Sequence, residues 1–162
     1  HIITDDFFGI ILADDLILSE PGCLKQLLEI HEKTQSSVLG VFSASKDQVS
    51  EYGVISSNNF NGVEKVDGIV EKPEPNDAPS NLAVFGRYIL SKDIFSNIER
   101  IKPGLNNEIQ LTDAIQDLIS DQDIFALEFE GKRFDCGSKE GYISAIIDRA
   151  SSIEKYKSIT EK

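Results

Sequence analysis

The residues able to do chemistry are mostly carboxylates, with a few lysines and amides. Asp14-Asp15 closes the apolar run Phe7-Phe8-Gly9-Ile10-Ile11-Leu12-Ala13. Glu71-Lys72-Pro73 closes a second apolar stretch, and Asp135 stands in Phe134-Asp135-Cys136-Gly137-Ser138. Carboxylates suit hard cations such as Mg²⁺, which take oxygen ligands and keep waters for substrate phosphates. In open α/β sheets ligands bind beyond the carboxyl ends of strands, and Asp14 falls at such an end. The plainer alternative is that Asp14-Asp15 only ends a strand and faces water. Asp135 reads either as a metal ligand or as a carboxylate held by N–H groups at a helix start. Glu71 can accept from sugar hydroxyls and Lys72 can pair with a phosphate; a solvated strand end is the alternative. Glu108, Gln110, Thr112 and Asp113 read as a helix-capping cluster.

Other chemistries are excluded by what the sequence lacks. The two histidines are His1 and His31, and the two cysteines, Cys23 and Cys136, are far apart. That leaves no Ser-His-Asp triad, no zinc spacing and no disulfide framework, and a reducing cytoplasm is the expected compartment. His31 continues an apolar stripe and Cys136 has no base near it in sequence, so both read as structural. No G-x-G-x-x-G and no G-x-x-x-x-G-K-[ST] is present, so no segment of the chain is a recognisable phosphate cradle. With 16 Lys plus Arg against 28 Asp plus Glu, the formal net charge is −12. That excludes a general nucleic-acid binder and docking on anionic lipid. No apolar run is long enough for a transmembrane helix.

These residues need elements to position them. Phe7 to Ala13 predicts a strand buried on both faces. Pro21 opens a helix with Leu24, Leu27, Leu28 and His31 on one stripe, and Ser37 to Phe42 predicts a strand, completing a βαβ unit. Tyr52 to Ser56 and Val63 to Val70 predict strands, with a turn at Ser57-Asn58-Asn59. Pro73 to Ser80, with three prolines, predicts a loop. Leu82 to Leu90 predicts a strand, and Ser91 a helix cap ahead of Ile94, Phe95 and Ile98. A helix is expected from about Asn107 to Ser120, with Leu111, Ile115, Leu118 and Ile119 inward. Short strands follow at Ile124–Glu130 and Lys132–Asp135. Ser138 is expected to cap a last helix with Tyr142, Ala145, Ile146 and Ala150 inward. The pattern is a single α/β domain with a mixed sheet, and residues 151–162 read as a polar C-terminal tail.

Seven blocks stand in a recognisable order: Leu12-Ala13-Asp14-Asp15-Leu16, Tyr52-Gly53-Val54-Ile55, Val70-Glu71-Lys72-Pro73, Pro79-Ser80-Asn81-Leu82-Ala83, Gly86-Arg87-Tyr88, Glu108-Ile109-Gln110-Leu111-Thr112-Asp113-Ala114-Ile115 and Asp135-Cys136-Gly137-Ser138-Lys139-Glu140-Gly141-Tyr142. In this order the chain resembles the bacterial UTP–glucose-1-phosphate uridylyltransferases from about residue 5 to residue 150. The last two blocks are the most specific. The resemblance implies an α/β, Rossmann-like nucleotidyltransferase fold with a mixed, mainly parallel central sheet, incomplete at its N-terminal side. Residues 1–150 would form the C-terminal part of that domain.

The reaction implied is attack of glucose 1-phosphate on the α-phosphorus of UTP, giving UDP-glucose and pyrophosphate without a covalent intermediate. Block by block, Asp14 and Asp135 match metal-ligand carboxylates for Mg²⁺. Gly53 and Glu71 match groups that hold the glucose ring, and Lys72 matches the lysine on the sugar phosphate. Lys139 matches a lysine near the phosphates, Asn81 and Glu108 line the sugar pocket, and Asp15 ranks behind Asp14. The implied partners are UTP and glucose 1-phosphate or UDP-glucose, and in the intact protein a homo-oligomer. The family opens with a Gly-rich loop carrying an Arg and a Lys, followed by a uracil-binding segment; nothing in the chain matches them. The chain also lacks methionine and opens with His1-Ile2-Ile3. It therefore reads as processed, truncated or part of a longer product, with little or no turnover by itself. The alternatives are a related enzyme using dTTP or another sugar 1-phosphate, and a non-catalytic sugar-nucleotide-binding module.

Overall fold

The computed structural model describes residues 2–103 and 108–157. Its strands are β1 (Phe7–Ile11), β2 (Asp15–Leu18), β3 (Ser37–Ser43), β4 (Gly53–Phe60), β5 (Val63–Glu71), β6 (Leu82–Ser91), β7 (Ile124–Glu128) and β8 (Lys132–Asp135). Its helices are α1 (Cys23–Thr34), α2 (Ile94–Arg100), α3 (Leu111–Ile119) and α4 (Lys139–Ser152). Six strands form one sheet in the order β1-β6-β3-β7-β5-β4, and β2 and β8 form a separate two-stranded ribbon.

The sheet is mixed, as expected, but the expectation of mainly parallel pairing is corrected for the described residues. Only β3 and β7 pair in parallel; β1–β6, β6–β3, β7–β5 and β5–β4 are antiparallel. β1 and β3, flanking α1, do run in the same direction. The returning strand β6 lies between them and bonds to both.

The turn expected at Ser57-Asn58-Asn59 is also corrected. β4 continues to Phe60, opposite Val63, and the hairpin closes at Asn61-Gly62. Both residues have positive φ, 53° and 84°, the backbone that a two-residue turn matched to strand twist requires. The expectation that β1 is buried on both faces is corrected: none of its five residues is fully buried, and Ile11 is more than half exposed.

The two faces of the sheet are covered by different helices. α3 presents Ile115 and Leu118, both fully buried, to a core with Leu39, Ile55, Val66 and Leu90. α1 covers the other face through Cys23 and Leu27, against Val38, Phe85 and Ile89. Its stripe differs from the expected one: Leu28 is exposed at 41%, while Cys23 takes the inward place. His31 is structural, with Nδ1 2.8 Å from the Ser36 carbonyl oxygen and its ring 4.6 Å from that of Phe7. Ser91, three positions before α2, is not its cap as expected: Asp93 holds the N-cap position, and the Ser91 hydroxyl accepts from the Asp93 N–H at 3.2 Å.

Ser138 caps α4 as expected, its hydroxyl accepting from the Gly141 N–H at 3.0 Å. The inward face expected for α4 is corrected, however. Only Ala145 is buried, and Tyr142 and Ile146 are about half exposed, lining a shallow apolar groove with Leu16, Ile153 and Tyr156.

Candidate active site

Three pieces of backbone converge on one cleft of about 480 Å³. The first is the ribbon. β2 and β8 pair Asp15 with Asp135, and the Cys136 N–H donates to the Asp14 carbonyl at 2.7 Å. This register brings residues more than a hundred positions apart in sequence side by side. The Asp14–Asp15 turn is braced from β6, where the Arg87 guanidinium donates to the carbonyls of Leu12 at 3.2 Å and Asp15 at 2.6 Å. The second piece is the β4–β5 hairpin, whose register sets Gly53 opposite Glu71. The third is the start of α3, from which the Thr112 hydroxyl donates to Glu71 Oε2 at 2.8 Å.

Glu71 is thereby fixed in direction, and Lys72 Nζ lies 4.0 Å from its other oxygen. Lys72 has φ 44° and its N–H donates to the Tyr52 carbonyl at 3.0 Å. A non-glycine residue in the left-handed region, directly before a proline, goes against two backbone preferences, and such positions concentrate at functional sites. Gly53 is required by close approach. A Cβ there would stand 2.6 Å from Thr112 Cγ2 and 3.0 Å from Val84 Cγ2, which would push Thr112 off Glu71.

Asp14 and Asp15 part company. Asp15 is buried, with its Oδ1 2.5 Å from Arg133 Nε and its Oδ2 accepting from the Gly86 N–H at 2.8 Å. Asp14 is exposed. The space that a Cβ at residue 137 would fill lies 3.1 Å from Asp135 Oδ1 and 3.3 Å from Asp14 Oδ2. Two carboxylates thus face one small gap that glycine leaves open.

Arg133 lies over the rings of Phe42 and Tyr52, 4.5 and 4.9 Å from their centroids. Burial works against its charge, but the Tyr52 hydroxyl and Asp15 more than offset this and hold it above its ordinary value. Burial pushes the Tyr52 hydroxyl up, so it stays a donor, 2.9 Å from Asp135 Oδ2. Tyr88 lines the cleft and is 6% exposed; burial, then the charges of Asp15 and Glu71, push its hydroxyl well up.

Of the residues expected at the site, Asp14, Gly53, Glu71, Lys72 and Asp135 line this cleft together. Asn81, Glu108 and Lys139 are exposed and outside its lining. Glu108 accepts from the Gln110 side chain at 3.1 Å, and the Asn81 carbonyl accepts from the Ala44 N–H at 2.8 Å. The expected capping cluster is corrected: Gln110 stands at the N-cap of α3 but makes no side-chain capping bond to the helix backbone, and Thr112 reaches across to Glu71 instead. Residues 104–107 lie outside the described residues, so the expected helix start at Asn107 does too. Sequence reading missed Arg133, Tyr52, Tyr88 and Thr112 as side chains of the site. An Arg two positions before Asp135 on a strand shares its face, which was the one available signal.

The cleft fits a divalent cation. Five carboxylates line it against two cationic side chains, Lys72 and Arg133, and one of those is already paired with Asp15. A phosphate-bearing ligand entering this excess of negative charge requires added positive charge. Two carboxylates facing one gap are a suitable oxygen donor set for Mg²⁺, which needs only one or two from the protein. No cluster of three or more His, Cys, Asp or Glu side chains placed to hold a metal occurs among the described residues.

A sheet covered by helices on both faces, with a polar cleft beyond a strand end, is an arrangement in which α/β proteins bind ligands. The chain belongs to the nucleotidyl transferase family, whose model matches residues 1–152. It is similar in particular to proteins named UTP–glucose-1-phosphate uridylyltransferase. It is 44% identical over 147 residues to that of Pseudomonas aeruginosa, covering 89% of this chain and 53% of the relative. With that of Streptococcus pyogenes it shares 45% over 154 residues, covering 91% and 51%. Its fold matches a crystal structure of UDP-glucose pyrophosphorylase complexed with UDP-glucose, with a TM-score of 0.89 and 45% identity, over 93% of this chain and 58% of that one. The chain spans about half the length of the curated relatives it matches. No helix among the described residues is long and apolar enough to cross a membrane.

Proposed function

We propose that this polypeptide supplies the sugar-binding and metal-binding side of a UTP–glucose-1-phosphate uridylyltransferase site. The observation that carries the reading is the convergence of Asp14 and Asp135 on the gap at Gly137, in the same cleft as Glu71 and Lys72. In the reaction a phosphate oxygen of glucose 1-phosphate bonds to the α-phosphorus of UTP. The bond from that phosphorus to the bridging oxygen breaks, and the electron pair leaves with pyrophosphate. Catalysis of this kind is mainly positioning and charge neutralisation.

Glu71, held by Thr112, accepts from hydroxyls of the glucose ring, and Gly53, which lines the same cleft, helps hold the ring by letting Thr112 reach Glu71. Lys72 pairs with the sugar phosphate and orients its oxygen. Asp14 and Asp135 would hold Mg²⁺, which when bound offsets the charge of the crowded phosphates. Asn81, Glu108 and Lys139 would join the ligand from the rim of the cleft. The work belongs in the cytoplasm, where nucleoside triphosphates are available, and the intact protein would act as a homo-oligomer.

The test is a calorimetric titration of UDP-glucose with Mg²⁺ into the purified chain, beside the Asp135→Asn and Glu71→Gln variants. Binding that weakens about tenfold or more in each variant is expected. Equal binding by wild type and both variants, or no binding by a chain shown to be folded, would overturn the assignment.

A further inference from the structure

Tyr52 touches both halves of the cleft. Its backbone carbonyl accepts from the Lys72 N–H at 3.0 Å, at the end of β5. Its hydroxyl donates to Asp135 Oδ2 at 2.9 Å, at the end of β8. Behind it, Arg133 Nη1 donates to the same hydroxyl oxygen at 3.3 Å. Arg133 is itself locked by Asp15 and by the faces of Phe42 and Tyr52. The Tyr52 ring stands edge-on to Phe42, with centroids 5.2 Å apart. A hydroxyl accepting from a guanidinium has its proton directed away from it, here at the carboxylate.

We infer that Tyr52, backed by Arg133, is a positioning residue that holds the Asp135 carboxylate in its metal-binding orientation and fixes it relative to Lys72. The inference rests on the reading of Asp135 as a metal ligand. Asp135 Oδ1 is held by the Gly137 N–H at 3.0 Å and Oδ2 by Tyr52. An ionised carboxylate has about four lone-pair sites, so two remain for a cation. With both oxygens fixed, the carboxylate does not have to be ordered when a cation arrives. Groups that orient a metal ligand in this way typically change metal affinity by 10–100-fold when removed.

The experiment uses Mn²⁺ as a paramagnetic stand-in for Mg²⁺. Its affinity for the chain is measured by electron paramagnetic resonance in the presence of UDP-glucose. Wild type, Tyr52→Phe, Arg133→Lys, Asp135→Asn and Asp14→Asn are compared. Tyr52→Phe keeps the ring and its packing and removes only the hydroxyl. It is expected to weaken Mn²⁺ binding about tenfold, a larger change than in the metal-free affinity for UDP-glucose, in a chain that still folds cooperatively. Arg133→Lys keeps a cation for Asp15 but loses the reach to Tyr52, and is expected to weaken Mn²⁺ binding in the same direction. Should Tyr52→Phe fail to fold, Arg133→Lys decides, and wild-type Mn²⁺ affinity in it overturns the inference. Wild-type affinity in a folded Tyr52→Phe, with affinity lost in Asp135→Asn, overturns the positioning role and leaves the site reading standing. Wild-type affinity in both aspartate variants removes the site reading and this inference with it.

Discussion

Replacing Gly141 by alanine tests the link between fold and site most directly. Gly141 lies in the first turn of α4, where the helix rests on the backbone of Asp135. A Cβ at residue 141 would overlap the Asp135 carbonyl oxygen and stand 2.7 Å from its carbon and 2.9 Å from Ser138 Oγ. Backbone cannot yield as a flexible side chain can. Overpacking of this kind costs up to about 3 kcal/mol, whereas alanine favours a helix over glycine by about 1 kcal/mol. The expected net loss is about 2 kcal/mol, a fall of about 1 M in the urea midpoint at a slope of about 2 kcal/mol per M. The overlap is relieved by moving either α4 or Asp135, so metal-dependent UDP-glucose binding should fall about tenfold as well. Exposed Ser144, in the same helix, serves as the control: Ser144→Ala should gain a few tenths of a kcal/mol and leave binding unchanged. A Gly141→Ala protein as stable as wild type, or one less stable but with intact binding, would refute the reasoning.

Three further outcomes are expected. Arg133→Met leaves Asp15 as a buried carboxylate without its cation, and should cost about 3–5 kcal/mol in chemical denaturation. Leu118→Ala removes a fully buried side chain between α3 and the sheet and should cost about 2–5 kcal/mol in the same assay. Burial pushes the Cys23 thiol from 9.0 up to about 11, so the folded chain keeps a proton that the unfolded chain loses. Stability should then fall as pH rises from 9 to about 11, by on the order of 2 kcal/mol, and Cys23→Ala should flatten that fall; an unchanged slope would contradict it.

The sequence by itself determined the class of fold, most of the elements and five residues that line one cleft. Helices α1 and α3 were legible because burial on one face writes a 3.6-residue period into the chain. Strand β3 was legible because burial on both faces writes a continuous apolar run. Asp14, Gly53, Glu71, Lys72 and Asp135 were legible as motifs tied to strand ends. Ribbon β2–β8 and the antiparallel character of the sheet were not, because pairing depends on which strand returns between which, and no local period records that. The hairpin turn was written in Asn61-Gly62 and was masked by the polar run just before it.

The resemblance ranked Asp14 ahead of Asp15, but only the tertiary structure gave the physical reason. The two are identical side chains one position apart; Asp15, first in β2, is paired with Arg133, while Asp14, in the turn just before it, stands near Asp135 across the gap at Gly137. The exposed face of α4 carries the same lesson in reverse: its apolar residues are written in the sequence, but what lies over them is a property of the assembled fold. Arg133, Tyr52 and Thr112 belong to the site through contacts across 118, 83 and 41 positions. Contacts of that span leave no local pattern, because the register of folded strands, not spacing along the chain, brings their partners together.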